Sequence, residues 1–117
     1  MKKLLMATAT AALSVGASAA SAEDVTLGII LGFTGPIESL TPHMAGGAEL
    51  AISEVSESGK LLDGMTVTQE RADSTCIDAG AASAAAERLI TAVGVKGIMG
   101  ADCSGVTGAV LSNVAVP

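Results

Sequence analysis

Aromatic side chains are nearly missing: of 117 residues only Phe33 is aromatic, with no Trp and no Tyr. Without stacking side chains there is no platform for nucleic-acid bases. Basic residues are scarce as well, 6 Lys and Arg against 12 Asp and Glu, for a formal net charge of −6. A phosphate backbone finds no electrostatic support there, so nucleic acid is excluded as a partner. Beyond the extreme N-terminus no apolar run approaches the roughly 20 residues of a membrane-spanning helix. There is one histidine, His43, and there are two cysteines.

What is present begins with a leader. Lys2 and Lys3 form a positive start, Leu4 to Val15 an apolar stretch rich in Leu and Ala, and Ala17-Ser18-Ala19 and Ala20-Ser21-Ala22 both fit a small-residue cleavage pattern. The expected boundary is residues 1–22 as a cleaved signal peptide, since Glu23 and Asp24 then open the exported chain with charge. The alternative is a short membrane anchor, against which stand the shortness of the apolar stretch and the well-formed small-residue site. Without the leader 95 residues remain, with 4 basic against 12 acidic side chains and a net charge of −8. That length suits one small domain.

Cys76 and Cys103 both lie in the exported portion, where oxidation is permitted. A bridge between them would close a loop of about 28 residues, which the chain-entropy picture values at roughly 3–4 kcal/mol. The alternative is two buried free thiols.

Along the chain, Val25 to Gly32 is a continuous apolar run, as in a parallel strand covered on both faces. Gly32-Phe33-Thr34-Gly35-Pro36 ends it. From about Pro42 to Ser58 the period becomes helical, with Ala48, Ala51, Ile52 and Val55 as the inner stripe and Gly59 as the stop. Met65 to Ala72 alternates like a strand, with Met65, Val67 and Gln69 on one face. Asp78 can cap an Ala-rich helix reaching about Ala92, with Ala82, Ala85, Leu89 and Val93 inward. Val95 to Gly100 reads as a short buried strand. Ser104 opens a last helix, with Val106, Ala109, Val110 and Asn113 in period. The fold class is therefore α/β: β-α-β-α-β-α, a parallel sheet between helical layers. In such sheets ligands bind beyond the carboxyl ends of the strands. Loops 33–43, 73–78 and 101–105 become the candidates.

Catalytic chemistry is poorly represented. His43 is a lone loop histidine, and a Cys103/His43 pair conflicts with an oxidised Cys103. Ser104 is not in a G-x-S-x-G elbow because Asp occupies 102. Gly100 to Gly105 carries the outer glycines of a phosphate loop, but Val106 and Thr107 stand in place of Lys-Ser/Thr. Cys76, Cys103, His43 and Asp102 lack metal-ligand spacing. The reading is not an enzyme, with no cofactor and no metal. What remains is Asp102-Cys103-Ser104-Gly105 at a helix start. Free N–H groups and a positive dipole end suit a carboxylate there, with Ser104 adding a hydroxyl and Gly105 leaving the backbone open. Ser104 as a plain N-cap is the equal alternative. Asp102 would repel a simple anion, which favours a zwitterion bearing an ammonium group.

Four segments carry a resemblance: VTLGIILGFTGPIESL, GGAELAISEVSESGKLLDGMTV, RADSTCIDAGAASAAAERLI and VKGIMGADCSGVTGAVLSNV. With the signal peptide, the GP turn after the first strand, D-x-T-C after the second and G-x-x-C-S after the third, the chain resembles the N-terminal part of a periplasmic substrate-binding protein of branched-chain amino acid ABC transporters. That leucine-binding-protein-like, type I periplasmic binding fold implies two α/β lobes with a hinge and a ligand held between them. It implies a Cys76–Cys103 disulfide, Ser104 on the ligand's α-carboxylate, and Asp102 and Cys103 lining the same loop. Leu40 falls where a residue after the GP turn touches the ligand. Relatives often carry an aromatic there, so the side-chain class of the ligand stays open. The group includes binders of amides, urea and aromatic acids.

The resemblance also implies an extracytoplasmic receptor, monomeric when full length, that delivers an amino acid or related solute to an ABC permease at the inner membrane. The alternatives are the same fold used for ligand sensing in signalling, an exported small domain with a structural role, or a non-functional truncated fragment. Residues 23–117 would be a partial, truncated first lobe, with an open sheet edge, low stability and no clamp of its own.

Overall fold

The computed structural model describes residues 23–61 and 64–116. The proposed signal peptide, residues 1–22, lies outside them. Six elements alternate as expected: β1 (Val25–Leu31), α1 (Thr41–Glu57), β2 (Val67–Asp73), α2 (Ala79–Arg88), β3 (Gly97–Gly100) and α3 (Ser104–Val110). α2 and α3 each run on into a wider helical turn, Leu89–Val93 and Leu111–Ala115.

The three strands form one parallel sheet in the order β2-β1-β3. Register runs from Val25 opposite Val67 to Leu31 opposite Asp73 on one side of β1, and from Leu27 opposite Gly97 to Ile30 opposite Gly100 on the other. β1 is central, which is why its sequence is apolar without alternation. Ile29 and Leu31 pack with Ala45, Ala48 and Ile52 of α1, while Ile30 packs with Ala82, Ala86 and Leu89 of the α2 layer and Val106 and Val110 of α3. Successive side chains of a strand point to opposite faces, so one strand holds two helical layers. Each fully buried Ile or Leu contributes about 1.5–3 kcal/mol.

The caps follow the residues. Asp78 accepts the Ala81 N–H at 2.9 Å and starts α2, as its sequence position predicts. Gly94, with φ of 77°, closes the turn that follows it.

Four readings of the sequence need correction. α1 buries Thr41 and Ala45 and half-buries Ala48 and Ile52, whereas Ala51 and Val55 are exposed. The inner stripe is thus turned towards 41, 45, 48 and 52. On β2, Gln69 is exposed and only Val67 and Ala72 are buried, because β2 is an outer strand with polar residues in water. β3 is not buried: Gly97, Met99 and Gly100 are exposed and Ile98 is half-buried. Among the described residues no strand pairs with its outer side. An apolar groove of about 410 Å³, lined by Leu27, Ile29, Ala51 and Met99 among others, lies open beside it. On α3, Asn113 is exposed and lies beyond the regular helix, where its amide donates to the Ser83 hydroxyl at 3.3 Å.

Candidate functional site

All three strands are parallel, so the loops that leave them lie at one end of the sheet. The first loop runs from Gly32 to Leu40, the second from Ser74 to Asp78, and the third from Ala101 to Cys103. His43 falls inside α1, exposed on its first turn, rather than in a loop, because the helix already begins at Thr41.

The loops are bonded to one another. A disulfide joins Cys76 to Cys103, with Cα atoms 5.2 Å apart, so the second and third loops are one covalent unit. Asp73, the last residue of β2, accepts the Thr34 hydroxyl at 2.6 Å, the Thr34 N–H at 3.3 Å and the Thr75 N–H at 2.8 Å. Burial pushes its carboxyl up, but these donors outweigh that and hold it below the ordinary value. Thr75 and Cys76 both have positive φ, 57° and 68°. Gly35, at φ 96°, passes so close that a Cβ there would sit 2.5 Å from the Thr75 carbonyl oxygen.

Asp102 faces inward. Its carboxylate accepts the Gly32 N–H through both oxygens, at 3.2 and 3.0 Å, and the Ser74 hydroxyl at 3.5 Å. The carboxylate is therefore engaged with the end of β1. Cys103 is the N-cap of α3 without a side-chain capping bond, and its sulfur belongs to the disulfide. Ser104 is the first residue of the helix and exposed, not the cap. The N–H groups of Ser104, Gly105 and Val106 occupy the first turn, where no intrahelical acceptor exists. Gly105 is exposed, and a Cβ added to it would meet nothing within 4 Å. The Thr107 hydroxyl is shared between the carbonyls of Ala101, at 3.0 Å, and Cys103, at 2.9 Å, which ties the loop to the helix. Leu40 stands at the N-cap of α1, at the same end of the sheet, and is 59% exposed.

Thus Asp102, Cys103, Ser104 and Gly105 share one loop and helix start, and Leu40 closes the first loop. Sequence reasoning missed the residues that hold them: Gly32, Thr34, Asp73 and Ser74. The available signal was an acidic residue at or just beyond each outer strand's carboxyl end, Asp73 as the last residue of β2 and Asp102 two residues after β3. Among the described residues no group of three His, Cys, Asp or Glu side chains is arranged to hold a metal. No helix among them is long and apolar enough to cross a membrane.

Known proteins are similar to this chain in sequence and in fold. "Leu/Ile/Val-binding protein homolog 7" of Brucella abortus is 37% identical over 105 residues, 90% of this chain and 25% of the relative. Homolog 8 of Brucella suis is 38% identical over 97 residues, 83% of this chain and 23% of the relative. The chain thus spans about a quarter of the length of these relatives. Two solved structures share the fold. One is the branched-chain amino acid transporter substrate binding protein LivJ of Streptococcus pneumoniae in complex with isoleucine, with TM-score 0.70, 23% identity, and coverage of 79% of this chain and 26% of that one. The other, an ABC-type branched-chain amino acid transporter of Rhodopseudomonas palustris, has TM-score 0.66, 23% identity, and coverage of 76% and 24%. The family described as "Periplasmic binding protein" matches residues 24–116, nearly all of the described structure, and the chain belongs to that family.

Proposed function

We propose that this chain forms the start of the first lobe of an extracytoplasmic solute-binding protein, with residues 1–22 as its signal peptide. In this reading the protein captures a branched-chain amino acid, or a related amino acid or amide, and hands it to an ABC permease without chemistry of its own. The observation that carries the reading is Ser104, exposed on the first turn of α3 and free of the capping role that its position suggested. Its hydroxyl and the neighbouring N–H groups suit an α-carboxylate. The Cys103 backbone and Gly105 line the same approach, and Leu40 borders it from the first loop. The names of the relatives support the solute class.

The test is calorimetric titration of leucine, isoleucine and valine into the protein expressed from its complete reading frame, with and without Ser104→Ala. Loss of one hydrogen bond to a charged group costs about 1.5–3 kcal/mol, so the variant should bind at least about tenfold more weakly. Unchanged affinity removes Ser104 from the site.

A further inference from the structure

Asp102 connects the ends of all three strands. Gly32 follows β1 and gives its N–H to both carboxylate oxygens. Ser74 follows β2, is completely buried, and gives its hydroxyl to Oδ1. Asp102 itself lies two residues beyond β3 and two before Ser104. The other side of Gly32 is also fixed, because its carbonyl accepts the hydroxyl of the fully buried Thr41 at 3.1 Å.

The disulfide fastens the second loop to the third and leaves the first loop out. Asp102 supplies what the disulfide does not: a direct bond from the third loop to the end of β1. A buried N–H without an acceptor is costly, and a carboxylate acceptor makes the bond charge-assisted. Both carboxylate oxygens face the Gly32 N–H, and Oδ1 also accepts the Ser74 hydroxyl, so the group is oriented toward the ends of β1 and β2.

We infer that Asp102 is a positioning residue, which accepts the Gly32 N–H and the Ser74 hydroxyl and thereby sets Ser104 against the first loop, without touching the solute. This rests on the reading that Ser104 takes the solute's carboxylate. Holding Gly32 and Ser74 requires an acceptor rather than a charge. An asparagine keeps one oxygen for the Gly32 N–H and offers its amide to the Ser74 hydroxyl. An alanine leaves both without a partner.

The experiment compares Asp102→Asn, Asp102→Ala, Ser104→Ala and the Asp102→Ala/Ser104→Ala double variant in the protein from its complete reading frame. Isoleucine affinity is measured by calorimetry, and exchange of the Gly32 amide by NMR without solute. Asp102→Asn should stay within about threefold of the parent and keep Gly32 slow to exchange, whereas Asp102→Ala should bind about tenfold more weakly and exchange Gly32 at least about tenfold faster. The loss from Asp102→Ala should shrink in the Ser104→Ala background, since the placement of a missing hydroxyl no longer matters. A purely structural role would leave the two losses additive and overturn the inference. Asp102→Asn as damaging as Asp102→Ala would also overturn it, because that marks a charge contact with the solute. If Asp102→Ala does not fold, Asp102→Asn decides alone: retained affinity with slow Gly32 exchange supports the inference, and loss of either ends it. Unchanged affinity in Ser104→Ala overturns the parent reading instead, and Gly32 exchange still reads the Asp102 bond independently.

Discussion

The Thr34 hydroxyl donates to Asp73 at 2.6 Å, and through this bond the loop leaving β1 is held to the end of β2. The bond depends on an ionised carboxylate, which accepts from Thr34 and Thr75 at once. Because the folded protein holds Asp73 below its ordinary value, its contribution to stability is present above about pH 4, the unfolded value. The contribution falls away as the pH drops through the lower folded value. Acid unfolding followed by circular dichroism should therefore show Asp73→Asn less sensitive to pH below about 4 than the parent, though less stable at neutral pH. An identical acid profile in both proteins would contradict this linkage.

The disulfide gives a second prediction. Cys76 and Cys103 are 27 residues apart, and closing a loop of that size stabilises by about 3–4 kcal/mol when the bridge is unstrained. The Cys76→Ala/Cys103→Ala variant should lose about that amount in denaturant unfolding, and reductant should destabilise the parent to match. Because the third loop leads directly into Ser104 at the start of α3, solute affinity should fall together with stability.

How much of this was legible in the sequence depends on what each residue has for neighbours. The central strand was plain, since a run from Val25 to Leu31 without polar alternation requires cover on two faces, and Ile29 and Ile30 do point to opposite layers. Asp78 as a cap needed only its own local geometry. β2 and β3 were misread because exposure of a strand depends on its place in the sheet, which periodicity does not encode. Met99 is 43% exposed in a sequence that reads as buried. The site followed the same division. Ser104 and its neighbours stood out as a polar cluster at a helix start, but the partners of Asp102 are 70 residues away at Gly32 and 28 away at Ser74. Long-range bonds of this kind leave no trace in local pattern.

Arg71 links β2 to α1 on the solvent side. Its guanidinium pairs with Glu49, with Nη2 to Oε2 at 2.8 Å, and lies 5.3 Å from the centre of the Phe33 ring. Both contacts are exposed, so solvent and salt screen the ion pair and leave it a small contribution beside the cation–π contact. Arg71→Ala should lower the denaturant midpoint only slightly, and 1 M salt should shrink the difference from the parent. A large loss that salt does not reduce would mean that the pair organises Phe33 and the first loop rather than merely decorating the surface.

The glycines give opposite signs at different places, which makes them a sharp check on the loop geometry. Gly46 and Gly47 lie inside α1, and a Cβ at either meets nothing within 4 Å. Glycine in a helix interior is worse than alanine by about 0.5–1 kcal/mol, so Gly46→Ala and Gly47→Ala should each stabilise by about that amount. Gly35 is the reverse case. It sits at φ 96°, and its Cβ would press on the Thr75 carbonyl, a backbone atom of a loop already pinned by Asp73 and the disulfide. Gly35→Ala should cost about 1–3 kcal/mol and should also weaken solute binding, because the strain is relieved only by moving the first loop off the second. Denaturant midpoints for the three variants, measured side by side, decide the matter. Stabilisation by Gly35→Ala would mean that the two loops are not in contact in solution, and the shared framework of Gly32, Asp73 and Asp102 beneath Ser104 would fall with it.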